Sequence, residues 1–95
     1  MTETWTVQHD QGKQRFEVAL GDEQAVLNYN LRDKALVITH TGVPPAWEGR
    51  GIAASLTRAA LDYARAQGLA VPAVCSYAAT YLQRHPEYSD LTHAG

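Results

Sequence analysis

The feature that most constrains this chain is the junction His40-Thr41-Gly42-Val43-Pro44-Pro45-Ala46-Trp47-Glu48-Gly49-Arg50-Gly51-Ile52-Ala53-Ala54. An extended apolar run enters it and an alanine-rich helical pattern leaves it, so two glycines and an arginine stand where a strand hands over to a helix. Pro44-Pro45 stiffens the entry, because neither residue has an N–H and each pushes its predecessor to extended backbone. A helix start carries unpaired N–H groups and a partial positive charge, and glycines let a ligand come close to the main chain. Together these suit a phosphate group, and the rest of the chain is expected to be built around this turn.

Ahead of the junction the pattern is β. Trp5-Thr6-Val7-Gln8 is short and β-prone, His9-Asp10-Gln11-Gly12 reads as a turn, and Arg15 to Leu20 alternates polar with apolar. Gly21-Asp22 marks a second turn. Ala25 to Arg32 alternates again with Leu27, Tyr29 and Leu31 on one face, and Arg32-Asp33-Lys34 is the third turn. Ala35 to Thr41 is apolar on both faces at its start, as expected of a central strand covered on each side. The first half therefore reads as a four-stranded antiparallel meander.

Behind the junction, from about Arg50, the positions Ile52, Leu56, Ala59, Ala60 and Tyr63 recur at helical spacing, and Gly68 supplies the stop. Leu69-Ala70-Val71-Pro72-Ala73-Val74-Cys75 follows at once. A strand there implies a right-handed crossover to a parallel neighbour, with Pro72 pointing to an edge position or a bulge. Ser76 is the N-cap candidate for a short helix from Tyr77 to Arg84, which Pro86 closes. His85 to Leu91 reads as a turn leading to a final extended piece.

With 95 residues the chain is expected to form one domain, 1–95, with a thin core. Eight Lys and Arg against ten Asp and Glu, net −2 and scattered, leave no basic stripe for tracking nucleic acid. No apolar run approaches the roughly 20 residues of a membrane span, and Met1-Thr2-Glu3-Thr4 lacks a signal-peptide pattern, so the expected location is the cytoplasm. A single cysteine, Cys75, excludes an intramolecular disulfide and any zinc site of paired cysteines, and no metal is expected.

The order of elements and the turn together resemble the core of the GNAT superfamily of acetyl-CoA-dependent N-acetyltransferases. Its coenzyme motif runs Gln or Arg, two residues, Gly, one residue, then Gly or Ala. Glu48-Gly49-Arg50-Gly51-Ile52-Ala53 matches at Gly51 and Ala53, with Glu48 where Gln or Arg is usual. The wider set Val43-Pro44, Leu61-Asp62-Tyr63-Ala64, Pro72, Cys75-Ser76-Tyr77, and Tyr81 ahead of His85-Pro86-Glu87-Tyr88 is similar to short single-domain members without assigned substrate. The implied fold is a minimal α/β (α+β) GNAT-like one: the meander, a helix, a parallel fifth strand and a short helix. The implied function is transfer of an acetyl group from acetyl-CoA to an amine, small or protein-borne; the alternative is an acyl-CoA-binding or sensing module without turnover.

The resemblance implies that the coenzyme meets Thr41, Gly42, Val43, Glu48, Gly49, Arg50, Gly51, Ile52, Ala53, Ser76 and Tyr81. Its pyrophosphate would rest on backbone N–H groups of the turn, where any Cβ at 49 or 51 would hold phosphates away and Arg50 would add a pairing charge. The pantetheine arm would hydrogen-bond to the fourth strand near Thr41, Gly42 and Val43. Transfer needs a neutral amine and a proton for the departing thiolate. Tyr81 is the candidate acid, with Tyr77 its rival; either could instead pack on the core with its hydroxyl at the surface. His40 is the candidate base, or a strand-end histidine satisfied by a neighbour. Cys75 is either a nucleophile, with His85 as its activator if the fold joins them, or a small buried hydrophobe.

Overall fold

A computed structural model describes residues 5–72 and 76–88, with side chains in the second stretch from Thr80 onward. Four strands, β1 (Gln8–Asp10), β2 (Arg15–Leu20), β3 (Glu23–Arg32) and β4 (Ala35–Gly42), form an antiparallel sheet in the order β1-β2-β3-β4. Helix α1 (Ile52–Gln67) and helix α2 (Ser76–Arg84) follow, with short 3₁₀ turns at Pro45–Trp47 and Pro86–Tyr88. No helix among the described residues is long and apolar enough to cross a membrane.

The alternation in β2 and β3 does what a period of two requires, placing Phe16, Val18, Leu20, Ala25, Leu27 and Tyr29 on one buried face. Leu36 and Ile38 of β4 extend that face, and Ile52, Leu56, Ala60, Leu61 and Ala64 of α1 lie against it. Each large side chain so buried contributes about 1.5–3 kcal/mol relative to exposure. Ala59 and Tyr63 are half-buried at the margin. Gly68 ends α1 in the left-handed conformation, φ +70°, with its own N–H and that of Leu69 returning to the last helical carbonyls.

Several expectations change. The first strand lies at Gln8–Asp10, not at 5–8, because His9 is drawn into the sheet opposite Phe16; the turn moves on, with the Lys13 N–H donating to Asp10 Oδ1 at 3.0 Å. Leu31, expected to share the face of Leu27 and Tyr29, is 44% exposed one pair from the β3–β4 turn. The parallel fifth strand is reduced, among the described residues, to a bridge between Ala70 and Ala35. Leu36 N–H donates to the Ala70 carbonyl and Ala70 N–H to the Lys34 carbonyl, each at 2.8 Å. Pro72, the next residue that would face the same way, has no N–H to continue. Residues 73–75 lie outside the described residues. Among the described residues, β4 is therefore joined on its outer edge only through Ala35 and Leu36.

The last helix begins at Ser76, which is its first residue and not the residue before it. The expected turn after it is a 3₁₀ turn over Pro86–Tyr88, held by α1: Tyr88 donates its hydroxyl to Asp62 Oδ1 at 2.6 Å, and Arg65 Nη2 donates to the Glu87 carbonyl at 2.6 Å; the extended piece expected beyond it lies outside the described residues. Burial, reinforced by the hydrogen bond to Asp62, pushes the Tyr88 phenol up to about 12.

At the opposite edge of the sheet, the His9 ring stacks on Phe16 at 4.0 Å, meets Tyr63 edge-on at 4.4 Å and hydrogen-bonds through Nε2 to the Tyr29 hydroxyl. Burial lowers the His9 pKa, and the charge of Asp10 opposes the shift. A depressed histidine pKa costs stability only where the unfolded chain binds a proton that the folded one refuses. The His9 contribution to the melting temperature is therefore expected to be flat above pH ~6.5, the ordinary histidine value, and to turn unfavourable as pH drops below it. Calorimetric scans of wild type and His9→Phe check this: the substitution should flatten the acid side of the profile.

Candidate functional site

The chain between β4 and α1 must reverse within a few residues, and it does so with two left-handed positions. Gly49 and Gly51 both hold φ +80°, where an L side chain is strained. Gly51 is the N-cap of α1 and supplies no side chain; its carbonyl accepts the first helical bond, from Ser55 N–H at 3.0 Å. No acidic residue occupies the first helical turn. The N–H groups of Ile52, Ala53 and Ala54 thus start a helix without a capping side chain, the condition that favours an anion.

These residues line a cleft of about 400 Å³ together with Thr41, Val43, Trp47 and Glu48. Thr41 and Val43 reach it from the helix-covered side of β4, since Thr41 pairs with the buried Leu27. Among the described residues the Thr41 hydroxyl oxygen is buried without a hydrogen-bond partner. Positions where a Cβ on Gly49 or Gly51 would stand have nothing within 4 Å. The glycines are required by backbone conformation, and the space in front of them is open.

Of the positions expected to hold a coenzyme, Thr41, Val43, Glu48, Gly49, Gly51, Ile52 and Ala53 come together in this cleft. Gly42 adjoins it on the other face of β4, where the His40 ring lies across it: a Cβ at 42 would meet His40 Nε2 at 2.8 Å. Arg50, expected to add a pairing charge for a phosphate, sets its guanidinium over the ring of Trp47, which lines the cleft, at 5.1 Å. Tyr81 is only 8% exposed, stacks on His85 at 4.1 Å and is not among the lining residues. His85, the expected activator of Cys75, also faces Glu87 at 3.4 Å. Cys75 and the side chains of Ser76 and Tyr77 lie outside the described residues. His40 is exposed, on the sheet face away from α1.

Trp47 and Ala54 line the cleft although nothing in the sequence reading placed them there. Their signals are legible in retrospect: Trp47 sits two residues before the first left-handed glycine, and Ala54 is a small residue in the first helical turn.

A Gly51→Ala or Gly49→Ala substitution forces an L residue to φ +80° and costs about 1–2 kcal/mol. A drop in melting temperature is expected for both, against no change for the exposed control Ala66→Ser.

The family described as GCN5-related N-acetyl-transferase matches residues 15–91. The chain is 38% identical to protein NATD1 of Gallus gallus over 90 residues, 92% of this chain and 82% of that one. It is 39% identical to NATD1 of Homo sapiens over 83 residues, 84% and 74% of the two chains. The solution structure of a GCN5-like protein from Staphylococcus aureus superposes with a TM-score of 0.73 at 26% identity, covering 92% of this chain and 86% of that one. This chain belongs to the GCN5-related N-acetyltransferase family.

Proposed function

We propose that the cleft binds acetyl-CoA and that the protein transfers the acetyl group to an amine. The observation that carries this reading is the convergence of an uncapped helix start, two glycines with open space before them and the unpartnered Thr41 hydroxyl on one cleft. The residues fit the coenzyme: backbone N–H groups from Gly49 to Ala53 for the pyrophosphate, Thr41 Oγ1 and the end of β4 for the pantetheine arm. On this reading the arm runs beside the end of β4 in the manner of an added extended chain. What the coenzyme supplies is an acetyl group activated as a thioester.

The amine must lose a proton to attack, and His40 is the residue we assign to receive it. It stands at the bulge in β4, where Asn28 faces His40 and Tyr29 faces Ile38, leaving Thr39 extra. Gly42 lets the imidazole lie flat along the strand end, since a methyl group at 42 would collide with it. The Thr39 hydroxyl donates to the Asn28 carbonyl at 3.3 Å and helps hold that irregular register. Tyr81, as the acid that protonates the departing thiolate, and Cys75, as nucleophile, stay proposals from the resemblance.

One observation favours the second reading, a module that binds acyl-CoA without turnover: among the described residues neither His40 nor Tyr81 lines the cleft. Calorimetry with acetyl-CoA, followed by thiol release across a panel of amines, separates the two. Binding with turnover is expected, and His40→Gln should lower turnover by roughly a hundredfold or more, the weight of a general base, while affinity stays the same. Binding without thiol release on any amine supports the module; absence of binding overturns both.

A further inference from the structure

We infer that Trp5 is a positioning residue for the phosphate-facing backbone of the turn, acting through the Arg50 carbonyl; the inference rests on the coenzyme reading of the cleft. Trp5 lies ahead of the family-matched residues 15–91, on the segment leading into β1. Its indole N–H donates to the Arg50 carbonyl at 3.0 Å, across 45 positions of sequence.

That carbonyl belongs to a peptide between two left-handed glycines, the residues with the most conformational freedom to lose. No described peptide is cis, so the Arg50 carbonyl and the Gly51 N–H, which share one planar unit, point in opposite directions. Gly51 lines the cleft and Trp5 does not. A donor that fixes the carbonyl therefore also fixes the direction of the N–H of Gly51, a residue of the cleft wall. The same indole meets the cleft-wall ring of Trp47 edge-on, centroids 6.1 Å apart and planes at 85°, while Arg50 covers Trp47 from its own position. One side chain from the N-terminal segment thus fixes both a backbone donor and the wall beside it.

Trp5→Phe keeps an aromatic ring against Trp47 and removes only the N–H. Calorimetry should show the acetyl-CoA dissociation constant rising roughly three- to tenfold, the weight of one hydrogen bond. Affinity for S-acetylpantetheine, which carries no pyrophosphate, should stay unchanged. Equal weakening for both ligands, or none for acetyl-CoA, overturns the inference; failure of wild type to bind acetyl-CoA overturns the coenzyme reading beneath it. Should the variant fail to fold, wild type labelled with ¹⁵N and titrated with inorganic pyrophosphate gives the answer. The Gly51 amide and Trp5 indole resonances should shift together; a Trp5 resonance that does not move overturns the inference.

Discussion

Everything in this fold that bears on function hangs on one backbone constraint: the chain leaves β4 and enters α1 through two left-handed residues at φ +80°. Only glycine holds that conformation without strain, and glycine brings no side chain to cap the helix it begins. The first N–H groups of α1 are therefore left facing an open cleft. The same turn lets α1 fold back over the sheet, so that Ile52 and Leu56 bury against the face of Leu27 and Ile38. Packing of the core and exposure of the helix start are consequences of one local geometry.

The sheet contributes the other wall. β4 is paired along β3 on one side and, among the described residues, with Ala70 of the crossover segment on the other. Its two faces are divided in purpose: Thr41 and Val43 look into the cleft, while His40 and Gly42 lie on the side that α1 does not cover. Coenzyme and acceptor would then approach β4 from different directions, meeting at its irregular register. Tyr81, His85 and Tyr88 belong to a different structure, the clamp that ties the last 3₁₀ turn to Asp62 and Arg65 of α1.

Much of this was legible in the residues because it is local. Strict alternation in Arg15 to Leu20, helical spacing from Ile52 onward, and the glycines at 49, 51 and 68 each carry their own period or turn requirement. What was illegible depends on contacts distant in sequence. His9 and Asp10 have turn-forming character, yet Phe16, Tyr29 and Tyr63 recruit His9 into a strand. The turn at Pro86–Tyr88 is legible from Pro86, but its attachment to Asp62 and Arg65 of α1 has no signature within 85–91. Charge and position single out Arg50, but its contact with the ring of Trp47 three residues earlier has no signature in the sequence. The cleft's backbone donors were thus readable, while the wall of Trp47 and the reach of Trp5 to Arg50 were not.

The central claim is that backbone groups at the β4–α1 turn hold the coenzyme's pyrophosphate. A crystal structure of the protein grown with acetyl-CoA tests it most directly. The account predicts the pyrophosphate within hydrogen-bond distance of N–H groups between Gly49 and Ala53, with the pantetheine arm running beside Thr41 and Val43. A pyrophosphate bound elsewhere, with the turn facing only solvent, would contradict it.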